Sequence, residues 1–157
     1  MSKQIYAAVL EAHPEYGTVS SPVIDFRHWD AEIWPEDAEE RFSRDEDVDM
    51  IPNPHYIPNA GMQLAEGNAE TLFSALGFEL MDGGTRFELD AVYAAVMRLI
   101  NGDPDRKARP ASTTVGRGGA TFYDGGVSGD RLALYAARLL AILVEGRARN
   151  ATHLVAC

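Results

Sequence analysis

Asp130-Arg-Leu-Ala-Leu-Tyr-Ala-Ala-Arg-Leu-Leu-Ala-Ile-Leu-Val-Glu-Gly146 is the stretch on which the fold turns. Its apolar positions, Leu132, Leu134, Tyr135, Leu139, Leu140, Ile142, Leu143 and Val144, recur at helical spacing. They form a stripe too wide for a single contact face. The spacing predicts a central helix over 130–146, touched on more than one side, with Leu139 and Leu143 innermost. Ser128 or Asp130 can cap its start. Directly after it, Thr152–Ala156 is apolar enough for a final strand.

Moving towards the N-terminus, Ala111–Tyr123 has β character. Thr113-Thr-Val115 and Ala120-Thr-Phe-Tyr123 flank Gly116-Arg-Gly-Gly119, the pattern of a hairpin with a glycine-rich turn. Two helices are expected before it. Ala69, Leu72, Phe73 and Leu76 stand at i, i+3, i+4 and i+7, and Gly77 can stop that helix. Thr85-Arg-Phe-Glu88 has the capping-box spacing and would open the second, whose face is Leu89, Val92, Tyr93, Val96 and Ile100. Asn101-Gly102-Asp103-Pro104 closes it. With about eight residues between them, these two helices should pack as an antiparallel pair.

The first third is different in kind. Six of the eight prolines fall before residue 59, so strands and loops are expected there rather than long helices. Gln4–Leu10 and Thr18–Ile24 read as strands, the second interrupted by Pro22. Trp34-Pro35-Glu36-Asp37 resembles a helix start, with proline at the first position and acids in the first turn. Residues 51–62, with Pro52, Pro54 and Pro58, read as an extended connector packed by Ile51, Tyr56 and Ile57. The whole reads as one α+β domain over 1–157, with a small, mostly antiparallel sheet and three main helices. Residues 1–50 form its acidic strand- and loop-rich part, 51–62 the connector, and 63–157 the core.

A chain of 157 residues can bury a real core without staples. Its lone cysteine, Cys157, excludes a disulfide framework and a cysteine-based zinc site. No apolar run approaches the roughly 20 residues of a membrane helix, and Met1–Leu10 lacks a signal-peptide pattern. A cytoplasmic protein is expected. Charge is unevenly placed: residues 1–50 hold 13 acids against 4 bases, and residues 51–157 hold 11 against 10. An acidic N-terminal part would repel phosphates, so direct nucleic-acid binding through it is not expected.

Gln63-Leu-Ala-Glu-Gly-Asn-Ala-Glu-Thr-Leu72, continuing to Leu76-Gly77, resembles an Asn-Ala-x-x-Leu…Leu-Gly pattern of small uncharacterised proteins from GC-rich bacteria and their phages. The likeness extends over residues 60–157, through the Tyr135…Leu143 helix and the strand after it. It implies a fold unit and carries no activity, cofactor or functional residue.

No catalytic set emerges from the residue pattern. Asp45-Glu-Asp-Val-Asp49 starts like an EF-hand loop, but Met50 replaces the sixth-position glycine and Tyr56 the twelfth-position glutamate. The four histidines have no zincin spacing, and no serine sits in a Gly-x-Ser-x-Gly elbow. Neither metal nor cofactor is expected. His28 lies close to Asp25 and Asp30, an acid–base arrangement or a structural hydrogen bond. The glycine loops could hold an anion through Arg117, Gly118 and Gly119, and through the helix start at Ser128.

The feature with the most specific meaning is Phe26, Trp29, Trp34 and Phe42 interleaved with acids that include Glu36, Asp37, Glu39 and Glu40. Aromatic anchors supply interface energy and acids supply steering towards a basic partner. The leading expectation is a non-enzymatic protein of inhibitor, immunity or anti-defence type that binds a basic protein surface. A small-molecule- or nucleotide-binding protein or enzyme that uses the glycine loops 116–130, with His28 as an acid–base residue, is the alternative. Self-association through the 130–146 helix is a third reading.

Overall fold

A computed structural model of the chain describes residues 2–24, 61–115 and 121–157. Among these residues the architecture is α+β: three helices lie on one face of a small antiparallel sheet. The strands are β1 (Ser2–His13), β2 (Gly17–Pro22), β3 (Gly61–Ala65), β4 (Thr85–Glu88) and β7 (His153–Ala156). The helices are α1 (Glu66–Leu76), α2 (Leu89–Ile100) and α3 (Gly129–Ala148). A separate two-stranded ribbon, β5 (Ser112–Val115) and β6 (Thr121–Asp124), forms the expected hairpin with Ser112 opposite Asp124.

Strand β1 organises the sheet. Its first half, Ser2–Tyr6, pairs with β3, and its second half, Ala8–His13, pairs with β2. On its other edge it pairs with β7, which in turn pairs with β4. Strand β7 is therefore interior, which is why its Leu154, Val155 and Ala156 are all buried without alternation. The face bearing Ile5, Ala7, Met62, Leu64, Phe87 and Leu154 meets the helices.

Helix α1 behaves as its periodicity predicts. Ala69, Leu72, Phe73 and Leu76 are buried. Gly77 adopts φ 86°, Gly77 N donates to Ser74 O (3.0 Å), and Phe78 N donates to Phe73 O (2.8 Å). That bond pair is a Schellman stop, and it requires the left-handed backbone glycine adopts without strain.

The start of α2 departs from expectation. Thr85–Glu88 is strand β4, not a capping box; the Thr85 hydroxyl accepts instead from Met81 N at 2.8 Å. Pairing of Arg86, Phe87 and Glu88 with β7 outweighs a local cap. Leu89 N donates across to Thr152 O (3.1 Å), so an orphan donor of the helix start is satisfied by the chain entering β7. The expected α1–α2 hairpin is likewise replaced. With β4 between them, α2 finds its main helix partner in α3. Asp90 in the first turn of α2 pairs with Arg147 in the last turn of α3 (Nε–Oδ1 3.0 Å), and the Arg147 guanidinium lies 3.9 Å over the Tyr93 ring. The helices therefore run antiparallel, with each charge beside the helix terminus it complements.

Helix α3 is central, as expected. Leu132, Ala136, Leu139, Ile142, Leu143 and Gly146 are buried against α2, α1 and the sheet. The stripe is narrower than its composition suggests, because Leu134 and Val144 are exposed. Gly146 marks the closest approach to the sheet. A Cβ built there would stand 2.5 Å from Ala7 Cβ and 3.6 Å from Leu89 Cδ1. In an open helix, glycine to alanine gains up to about 1 kcal/mol; here the sign reverses. Gly146→Ala is expected to destabilise the fold by about 1–3 kcal/mol through overpacking, and Ala7→Gly in the same chain should recover part of the loss. Denaturant midpoints of the two single variants and the double variant test this. A more stable Gly146→Ala protein would place the helix farther from β1.

Candidate functional site

The predicted site residues divide sharply. Phe26, Trp29, Trp34, Glu36, Asp37, Glu39, Glu40 and Phe42 lie outside the described residues, as do His28, Arg117, Gly118 and Gly119. Ser128 is described, and its role is structural: its side chain accepts from Arg131 N at 3.3 Å as the N-cap of α3. The same helix start is also served by an acid of the chain itself. Asp105, in the short 3-10 turn Pro104–Lys107, sets its carboxylate against Gly129 so closely that a Cβ there would overlap it. A carboxylate at this end of α3 complements the helix dipole. Beside it, Arg109 and Val127 exchange backbone hydrogen bonds (2.9 and 2.7 Å), and Gly126, at φ 67°, lets the strands approach.

What the described residues do reveal is where the flanks of the acidic segment lie. Val23 N donates to Ala7 O at 3.1 Å, and Gly61 stands opposite Tyr6, the next residue along β1. Strands β2 and β3 therefore lie in line on one edge of β1, running in the same direction. Val23 and Gly61, on either side of residues 25–60, therefore stand at almost the same point of that line. These 36 residues carry 11 acids and 3 bases, a net of −8 out of the chain's −10. Sequence reading located the charge; the meeting of the described flanks on one strand edge depends on pairings far apart in the chain.

A second feature escaped the sequence altogether. Tyr6, Val155 and Arg86 are paired in one row across β1, β7 and β4, and they project from the face opposite the helices. Arg86 Nη2 donates to Thr18 O (3.1 Å), although Thr18 is on β2, at the far side of the sheet. The distal half of the β1–β2 hairpin therefore curls over this face. Between hairpin and sheet is a cavity of about 640 Å³ lined by Tyr6, Val19, Ser20, Met81, Gly83, Gly84, Thr85, Arg86, Val155 and Cys157.

The lining mixes donors with apolar surface. Burial raises the Tyr6 phenol above its usual range, and the charge of and hydrogen bond to Cys157 raise it further, against the opposing pull of Arg86. The phenol therefore remains a neutral donor at physiological pH. Ser20 Oγ is buried with no hydrogen-bond partner. Gly84, at φ 110°, allows the 81–84 turn to close against Cys157, where a Cβ would stand 3.1 Å from Cys157 Cβ. Among the described residues no group of three His, Cys, Asp or Glu side chains is placed to hold a metal ion. Nor does any described helix have the length and apolarity to cross a membrane.

No protein-family model, curated protein or solved structure matches the chain.

Proposed function

We propose that this protein acts by binding rather than by catalysis, presenting the acidic segment 25–60 to a basic protein surface. Its role would be of inhibitor, immunity or anti-defence type, and its partner could itself be a nucleic-acid-binding protein. The observation that carries the reading is the partition of charge: a net of −8 is concentrated in one segment whose flanks meet on a paired strand edge. Such a segment concentrates a field that accelerates encounter with a basic partner. Phe26, Trp29, Trp34 and Phe42 within it are the anchors that would hold the complex once formed.

Steering and anchoring separate in kinetics. Changing Glu36, Asp37, Glu39 and Glu40 to their amides should slow association and flatten its salt dependence. Trp29→Ala or Trp34→Ala should speed dissociation, at a cost of about 2 kcal/mol or more for a hot spot. The measurement is a pull-down from the native host, followed by binding kinetics on the captured protein. Capture of only neutral or acidic partners, with affinity independent of salt, would overturn the reading and leave the acids as a solubility surface. Because the flanks adjoin, a chain with 25–60 replaced by a two-residue link should keep its sheet and lose the partner.

A further inference from the structure

We infer that the cavity between the curled β1–β2 hairpin and the open face of the sheet binds a small organic monocarboxylate with an apolar body. The inference is independent of the acidic segment and uses none of its residues.

Four observations point the same way. The volume, about 640 Å³, falls in the range of small-molecule sites. Arg86 is the one basic side chain in the lining, and it gives an anionic group a partner there. One of its five N–H donors is engaged by Thr18 O, which fixes the guanidinium across the cavity, and no carboxylate among the described residues pairs with it. A fixed guanidinium fork matches a carboxylate in the bidentate manner. Ser20 Oγ, on the hairpin wall, is a buried polar atom without a partner, a cost that a bound acceptor or donor removes. Met81 and Val155 supply surface for an apolar body. A dianionic phosphate would find one cation here on a chain of net charge −10, so a carboxylate is preferred.

The test uses three probes of equal size class on the full chain: phenylacetate, its neutral amide phenylacetamide, and phenyl phosphate, each titrated at fixed ionic strength. Binding is followed by amide chemical shifts. Phenylacetate is expected to produce saturable shifts confined to Ser20, Gly83–Arg86, Val155 and Cys157. Phenylacetamide and phenyl phosphate should bind at least tenfold more weakly. Arg86→Gln should weaken phenylacetate at least tenfold and leave phenylacetamide unchanged, while Ser20→Ala should weaken it several-fold. Absence of shifts in the wild-type chain, shifts located elsewhere, or equal response to acid and amide would overturn the site. Tighter binding of phenyl phosphate would overturn its assignment to a carboxylate. Should Arg86→Gln fail to fold, the acid–amide contrast in the wild type and Ser20→Ala still decide. The full chain with Glu36, Asp37, Glu39 and Glu40 changed to their amides should bind phenylacetate as the wild type does, so failure of the partner reading leaves this one standing.

Discussion

Leu139→Ala is expected to lower the free energy of unfolding by about 2–5 kcal/mol, while Leu134→Ala, five residues earlier on the same helix, should change it by no more than about 0.5 kcal/mol. Leu139 has no solvent exposure and sits in the core cluster that joins α3 to α2, α1 and the sheet; Leu134 is 57% exposed. Truncating Leu139 removes three buried carbons' worth of transfer free energy. It also leaves a void that neighbours from three elements cannot all move to fill. Small domains hold only about 5–15 kcal/mol in total, so this one change would consume a large share. Urea midpoints for the two variants, interpreted with an unchanged m-value, check it. Equal effects at the two positions would contradict the placement of α3 against the sheet.

The same pair of leucines shows what could be read without a structure. Period and composition placed a helix at 130–146 and chose Leu139 and Leu143 as its inner side, because both properties are local. They could not say that Leu134 and Val144 face solvent, since all eight apolar positions look alike to a hydrophobicity pattern. Gly77 and Ser128 were legible for the same local reason: a left-handed stop and a hydroxyl cap act within five residues. Pairing is not local. That β7 lies between β1 and β4, and that Val23 and Gly61 fall on consecutive positions of β1, depends on partners up to 150 residues apart.

The cavity lay beyond the sequence for this reason. Tyr6, Ser20, Arg86 and Cys157 have no spacing in common; a curl in one hairpin brings them around one space. The residues singled out for chemistry were chosen by proximity in the chain, and proximity favoured the glycine loops. At the described end of those loops, Ser128 caps α3 and Asp105 sets its carboxylate against Gly129.

Phe73→Ala is expected to cost about 3–5 kcal/mol, and its environment explains why a local reading of Thr85–Glu88 fails. Phe73 is fully buried on α1 and stacks on Phe87 of β4, ring centroids 5.1 Å apart at 22°. Phe78, just past the Schellman stop, also meets Phe87, at 5.1 Å and 56°. Within a capping box Phe87 would be a helix-start residue with no fixed partner. As a strand residue it packs against two rings, and burying that aromatic surface contributes more than the cap of about 1 kcal/mol that is forgone. If this competition decides the structure of 85–88, Phe73 and Phe87 must be energetically coupled. A double-mutant cycle with Phe73→Leu and Phe87→Leu should yield a coupling of about 0.5–1.5 kcal/mol. The truncation Phe73→Ala should also loosen β4, seen as faster amide exchange at Arg86 and Glu88 than in Leu139→Ala at matched stability. Strict additivity, with exchange no faster than in the Leu139 variant, would mean that β4 is held by its ladder with β7 alone, and that the ring stack follows the strand instead of causing it.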